Sequence, residues 1–311
     1  MEYINIVLSA DDNYAQHVAV VMASIATNTT FKNIRVFLLS DGISVEKKKK
    51  LNITAANLKI LLEVIEMQNK KEFAAFYTSG HISKAAYFRL AIPRILPVSV
   101  KKVIYLDVDL LVLGDIQELW DFDMKNQPVA AVADYGIMAS DRMMKQKKEV
   151  IGITDDDSYF NSGVMVIDVE SWRKNNYSEK VIDIASKENF SHHDQDVLNK
   201  VFKNNWMELP LKWNVIPPVF NLLWKILFKS KFRTNAIKAK RQPAIFHYAG
   251  RYKPWEFYHN EGFNEKYYEY LAKTEFSNEK MPQPSKNMKG KSINRQLIRL
   301  KIAEVWMKVF G

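Results

Sequence analysis

The sequence predicts an α/β fold: a sheet whose strands are joined by crossover helices. Three observations carry that expectation. Short apolar runs alternate with helix-period segments through the first half of the chain. Acids follow two of those runs, as Asp11-Asp12-Asn13 and Asp107-x-Asp109, at the carboxyl ends of strands, where such sheets hold ligands. At 311 residues and 47% hydrophobic, the chain has ample apolar material for one large domain or two small ones.

Taken in order, residues 4–10 form an apolar strand that Asp11-Asp12 ends, and 15–26 carry helical periodicity. Residues 34–39 make the next strand. The helix expected at 44–57 includes the run EKKKK, a solvated face. Strands at 62–66, 103–106, 129–133, 164–169 and 244–248 follow, with helices expected at 83–92, 170–175, 178–187 and 195–202. None of the ten glycines stands in G-x-G-x-x-G or G-x-x-x-x-G-K-[ST] order, so neither a dinucleotide fingerprint nor a P-loop is present. Bound phosphate would then be held by a metal ion and basic side chains.

The stretch VIYLDVDLLVLGD sets Asp107 and Asp109 inside an apolar strand, two residues apart and therefore on one face. Burying unpaired carboxylates costs about 3 kcal/mol or more. Either they lie in water at a strand end, or something positive sits between them. The bare Asp-x-Asp pattern is weak, since it recurs at Asp121, Asp155 and Asp194; the apolar flanks set this copy apart.

The chain has no cysteine, which excludes disulfides, thiolate metal sites and a cysteine nucleophile and fits a reducing, cytoplasmic compartment. The opening MEYINIVLSADDNYAQHV reads as a first strand and not as a signal peptide. No apolar stretch is long enough to span a bilayer.

The net charge of +10 is local. From Lys225 to Arg241 every charged residue is basic, and after residue 281 Glu304 is the sole acid among lysines and arginines. The polar, proline-containing stretch NEKMPQPSKNMKGKS reads as a linker, 276–292, between a globular region, 1–275, and a final helix, 293–311. In that helix Ile298, Ile302, Val305 and Val309 form one stripe beside Trp306. The helix either docks on the core or lies on an anionic membrane surface, and its basic, tryptophan-bearing character favours the membrane. No nucleic-acid motif accompanies the basic patches, so no nucleic-acid partner is expected.

Six segments stand in order along the chain: SADDNYAQHV, AAYFRLAIPRIL, VIYLDVDLLVLGDIQELW, FNSGVMVIDVESWR, HDQDVLN and HYAGRYKPW. Over residues 1–270 this ordered set resembles glycosyltransferase family 8, particularly the bacterial retaining galactosyl- and glucosyltransferases of lipooligosaccharide synthesis. The resemblance implies a GT-A type nucleotide-diphospho-sugar transferase fold, a Rossmann-like mixed sheet flanked by helices, here followed by the basic amphipathic tail. It implies Mn²⁺, with Mg²⁺ as the alternative, held by Asp107, Asp109 and His247. Hard carboxylate oxygens and an imidazole suit that ion.

By the same resemblance Ser9, Asp11, Asn13 and Tyr14 contact uracil and ribose, while Arg89, Asp107, Asp134, Asn161, Asp194 and Gln195 contact the transferred hexose. Gly250 and Lys253 cover the diphosphate, where a lysine stabilises the charge that grows on the leaving group. The catalytic candidates are Gln195, Asp194, Asp196 and Arg89. Gln195 puts an amide where a double displacement needs a carboxylate. This suits internal return, in which the departing UDP takes the acceptor proton; Asp196 keeps the covalent route open.

The implied function is hexosyl transfer, galactose first and glucose next, from a UDP-sugar to a glycan or glycolipid acceptor. The implied location is the inner face of the cell membrane, as a peripheral protein. A metal-dependent nucleotide-sugar phosphohydrolase and a non-catalytic nucleotide-sugar or glycan binding protein are the competing classes.

Overall fold

In a computed structural model, the structure describes residues 2–67, 84–154, 157–217, 219, 230–250, 253–255 and 263–278. The expected linker from residue 279 and the whole 293–311 helix fall outside the described residues, as do residues 225–229 at the start of the basic stretch beginning at Lys225.

Among the described residues seven strands form the main sheet, in the order β3-β2-β1-β4-β7-β6-β8. They are β1 (Ile4–Asp11), β2 (Ile34–Asp41), β3 (Leu61–Glu66), β4 (Lys102–Leu106), β6 (Val129–Ala133), β7 (Phe160–Asp168) and β8 (Met207–Glu208). β3, β2, β1 and β4 run parallel, and β7 is antiparallel to both β4 and β6. The sheet is therefore mixed. Residues of one strand alternate between two apolar layers: Ile4, Ile6 and Leu8 of β1 enter one, with Ile104 and Leu106 of β4, while Val7, Val103 and Tyr105 enter the other. Both faces are covered, which is why these strands read as continuous apolar runs.

The first layer is closed by α1 (Ala15–Asn28), α2 (Val45–Asn57) and α11 (Phe263–Leu271). The second is closed by α7 (Val169–Lys174), α8 (Tyr177–Lys187) and α9 (His193–Val201), with fully buried Trp172 at its centre. Between them in sequence lie α3 (Ile92–Ile95), α4 (Ile116–Trp120), α5 (Tyr135–Met138), α6 (Asp141–Ile151) and α10 (Ser230–Arg241). Asp115, Asp134, Ser140 and Asp168 accept hydrogen bonds from backbone N–H groups at the starts of α4, α5, α6 and α7.

Three expectations are corrected. The helix expected at 83–92 is a 3-10 stretch, Lys84–Ala91, followed by α3, with Ser83 outside the described residues. Pro93 lies in the first turn of α3, where its missing N–H costs nothing and a new helix starts. The strand expected at 244–248 is not in the main sheet: β9 (Ile245–His247) pairs with β5 (Leu110–Val112), and on its other side Phe246 bridges Val215. Finally, Asp107 and Asp109 are not inside one strand. β4 ends at Leu106, the chain bends, and β5 restarts it in the second sheet. The apolar residues on either side belong to different sheets, and period-2 reading cannot see the break.

Candidate active site

The bend after β4 lies beside the carboxyl end of its parallel neighbour β1, and the two strand ends open a cleft of about 690 Å³. Ser9, Asp11 and Tyr14 line one part of it. Arg89, Asp107, Asp109, Asp134, Asn161, Asp194, Gln195, His247, Gly250 and Lys253 line the rest. Two expected residues are absent from that lining. Asn13 is exposed beside Asp11, whose carboxylate accepts its backbone N–H at 2.9 Å. Asp196 is fully buried on the far side of Gln195, bound by Lys147 at 2.6 Å and by the Tyr159 hydroxyl at 2.7 Å. A carboxylate so held cannot reach a sugar, which corrects the expectation that Asp196 keeps a covalent route open.

Asp109 and His247 meet because Leu110 and His247 are paired across β5 and β9, and the Tyr248 N–H donates to the Asp109 carbonyl at 2.8 Å. His247 Nε2 lies 3.1 Å from Asp109 Oδ1 and 3.7 Å from Asp107 Oδ2. One ligand atom from each of the three residues falls within 4.8 Å of the others. Asn214 sets the imidazole's tautomer. Its Nδ2 donates to Asn161 Oδ1 at 2.8 Å, so its Oδ1 is left to accept from His247 Nδ1–H at 2.9 Å. Nε2 then offers its lone pair towards the carboxylates, as a metal-bound histidine requires.

Two carboxylates and an oriented imidazole fit a hard divalent cation. Lys253 also reaches this point, donating to Asp109 Oδ2 and, at 2.7 Å, to the Tyr248 carbonyl. Burial would raise the Asp109 carboxyl, but the Lys253 ammonium outweighs it and holds the group well below the ordinary carboxylate range. Gly250 turns with φ +95, a conformation that residues with a Cβ rarely adopt, and it lines the cleft together with Lys253.

The second cluster is a buried polar set. Arg89 is fixed between two carboxylates, with Nη2 2.7 Å from Asp107 and Nε 3.1 Å from Asp194. Nη1 also donates to the Ser162 carbonyl at 2.8 Å. Burial raises the Asp194 carboxyl above its ordinary value, against the pull of Arg89. Asp134 Oδ2 accepts from Asn161 Nδ2 at 3.1 Å and from Gln195 Nε2 at 3.0 Å. The register shift between β6 and β7 falls at Ala131/Val132, opposite Ser162 to Val164, and beside this irregularity Asn161 and Ser162 line the cleft.

Gln195 has one orientation. Its Nε2 spends both hydrogens, on Asp134 and on the Tyr159 hydroxyl at 3.2 Å, and its Oε1 accepts from the Ser162 N–H at 3.1 Å. What remains for a ligand is the second lone pair of Oε1. Tyr105, Ser162, Asn214, Tyr159 and Lys147 were not singled out from sequence. Ser162 stands inside FNSG; Asn214 is a lone amide in an apolar stretch; Lys147 sits among the lysines of KQKK and has no distinguishing signal there.

A mixed GT-A type sheet carrying an acid-imidazole cluster beside a buried polar pocket defines a glycosyltransferase. The chain belongs to glycosyl transferase family 8, whose family model matches residues 5–259. It is 36% identical over 283 residues to the General stress protein A of Bacillus subtilis (strain 168), covering 89% of this chain and 96% of that one. It is 28% identical to the lipopolysaccharide 1,2-glucosyltransferase of Escherichia coli (strain K12), covering 82% of this chain and 73% of that one. Among solved structures it is similar to the galactosyltransferase LgtC in complex with donor and acceptor sugar analogs. That likeness has a TM-score of 0.75 and 27% identity, and spans 93% of this chain and all of the other.

Proposed function

We propose that this glycosyltransferase moves a hexose, galactose first and glucose next, from a UDP donor to a glycan acceptor with retention of anomeric configuration. The observation that supports the reading best is the adjacency of two sites: the Asp107, Asp109, His247 cluster and the Arg89, Asp134, Asn161, Asp194, Gln195 pocket share one cleft, and Arg89 bridges them through Asp107. A diphosphate on the first places its sugar in the second. Ser9, Asp11 and Tyr14, and Asn13 on the rim, then take the nucleoside.

A divalent cation, Mn²⁺ by donor set with Mg²⁺ as the alternative, would neutralise the leaving diphosphate. The chain's own residues do the rest. Lys253 supplies positive charge at the leaving group, and Arg89 holds Asp107 and Asp194 in place. The Gln195 carbonyl oxygen offers a partial negative charge to the anomeric carbon as positive charge grows there. The C1–O bond breaks, its electron pair leaves with UDP, the acceptor hydroxyl oxygen bonds to C1 on the same face, and its proton passes to the departing phosphate oxygen.

The acceptor is proposed to be a terminal sugar on lipopolysaccharide or another surface glycolipid, by analogy with the E. coli relative's name. A basic tail lying on the inner face of the cell membrane would bring the enzyme to it, as a cytoplasmic peripheral protein. Among the described residues no helix is long and apolar enough to cross a membrane.

Donor turnover across a panel of UDP-sugars, with and without divalent metal, tests the reading. Release of UDP with formation of a glycoside or free hexose supports it. Release of sugar 1-phosphate and UMP would replace it with a phosphohydrolase, and binding without turnover would leave a carrier protein.

A further inference from the structure

Behind Gln195 lies a charged cluster that the proposed chemistry does not use. Lys147 of α6 is 1% exposed, and its ammonium has three hydrogens and no acceptor. They go to Asp196, to Ser191 Oγ at 3.1 Å and to His192 Nδ1 at 2.7 Å. Asp196 in turn accepts the His192 backbone N–H at 2.9 Å, so side chain and backbone of His192 are both held.

A ring nitrogen that faces an ammonium at hydrogen-bond distance must present its lone pair, which puts the proton of the neutral imidazole on Nε2. His192 lines the cleft together with Gln195 and Asp194, and no partner is found for its Nε2 among the described residues. The groups around it are Lys147 from α6, Asp196 and His193 from α9, and Asp134 at the start of α5. Burial, then Lys147, lower its basicity, and Asp196 and Asp134 oppose them less, so the ring is neutral at pH 7. The backbone of His193, at φ +46, places His192 just before the helix that carries Asp194 and Gln195.

We infer that His192 is a sugar-reading residue and Lys147 its positioning residue: the buried ammonium fixes a neutral imidazole whose Nε2–H donates to a hydroxyl oxygen of the transferred sugar. The inference rests on the UDP-hexose reading above. It adds a donor to a pocket wall on which Asp134, Asp194 and Gln195 offer acceptors, so the pocket matches a hydroxyl that both gives and takes a hydrogen bond.

The tautomer is read directly in the unmodified protein by long-range ¹H–¹⁵N correlation spectra, with His192→Gln assigning the signal. A protonated Nε2 and a bare Nδ1 that persist from pH 7.5 to below the ordinary histidine value of about 6.5 are expected. A proton on Nδ1, or an ordinary titration, overturns the role of Lys147.

Calorimetry with UDP and with UDP-galactose or UDP-glucose, each with Mn²⁺, tests the sugar contact. His192→Phe should weaken the UDP-sugar about tenfold, the worth of one hydrogen bond, and leave UDP unchanged. His192→Gln, whose amide N–H lies near the position of Nε2, should recover most of the loss. Equal loss for both ligands, or none for either, overturns the inference alone. Failure of the unmodified protein to bind UDP would overturn the UDP-sugar reading and this inference with it.

Discussion

A Cβ on Gly163 would lie 2.3 Å from His247 Cε1 and 2.6 Å from Asp107 Oδ2, far inside contact distance. The Gly163 carbonyl also accepts the Asp107 N–H at 2.8 Å, so the backbone cannot retreat without moving the bend that carries the carboxylates. The absent side chain is what lets a β7 residue pass behind the Asp107, Asp109, His247 cluster.

Gly163→Ala should therefore damage the site more than the fold. Overpacking costs about 1–3 kcal/mol of stability, while displacement of the imidazole should weaken metal binding by about 10–100-fold. Metal titration beside thermal unfolding separates the two. Unchanged metal affinity in the folded variant would show that the cluster is not the ion's seat.

Asp109→Asn and His247→Ala should abolish metal-dependent turnover, by more than the roughly 100-fold expected for a supporting residue, with the fold kept because both lie at strand ends. Asp109→Asn also removes the anion that Lys253 grips. Full turnover by either variant in excess EDTA would refute the metal's role.

Gln195→Ala should slow transfer by about 10²–10³-fold without stopping it, because the amide orients and polarises but forms no bond to the sugar. NMR of the first product should show the anomeric configuration of the donor. An inverted product would remove the same-face mechanism.

His17 makes a pH prediction. It is buried on α1, its Nδ1 lies 2.6 Å from the Tyr267 hydroxyl, and its ring stacks on Trp255 at 3.5 Å. Burial lowers its pKa from 6.5 to about 3. Between those values the unfolded chain binds the proton and the folded one does not, so stability is full above pH 6.5 and is lost as pH falls towards 3. The loss is of the order of 4 kcal/mol. Chemical denaturation of His17→Phe from pH 7 to 4 should show a shallower decline than the unmodified chain. Parallel curves would assign acid sensitivity elsewhere.

Removal of the chain after residue 280 deletes Lys286 to Lys308, basic residues each worth about 1 kcal/mol near an anionic leaflet. Co-sedimentation with anionic vesicles should fall while turnover on a short soluble acceptor holds. Undiminished vesicle binding, or unfolding, would make the segment a core-docked helix.

Local pattern determined much of this. Apolar runs separated by helix-period segments predict six of the seven described strands of the main sheet to within a few residues, because burial on both faces leaves a signature in each strand by itself; the two-residue β8 is too short to leave one. The family resemblance carried by the ordered motifs likewise puts Asp107, Asp109 and His247 in one group, and these side chains do converge.

What the chain order could not decide is how distant segments share one hydrogen-bond network. Asp196 carries the same letters as its neighbours in HDQD, yet α9 turns it to the opposite side from Asp194, into contact with a lysine 49 positions away. Asn214 gives no signal in its own segment, and its meaning depends on β9 delivering His247 beside it. The bend between β4 and β5 is likewise invisible, since both flanks are apolar and differ only in which sheet receives them. Periodicity reports which face of an element is buried; it carries no information about the partner across the gap, and at this site the partners set tautomer, charge and orientation.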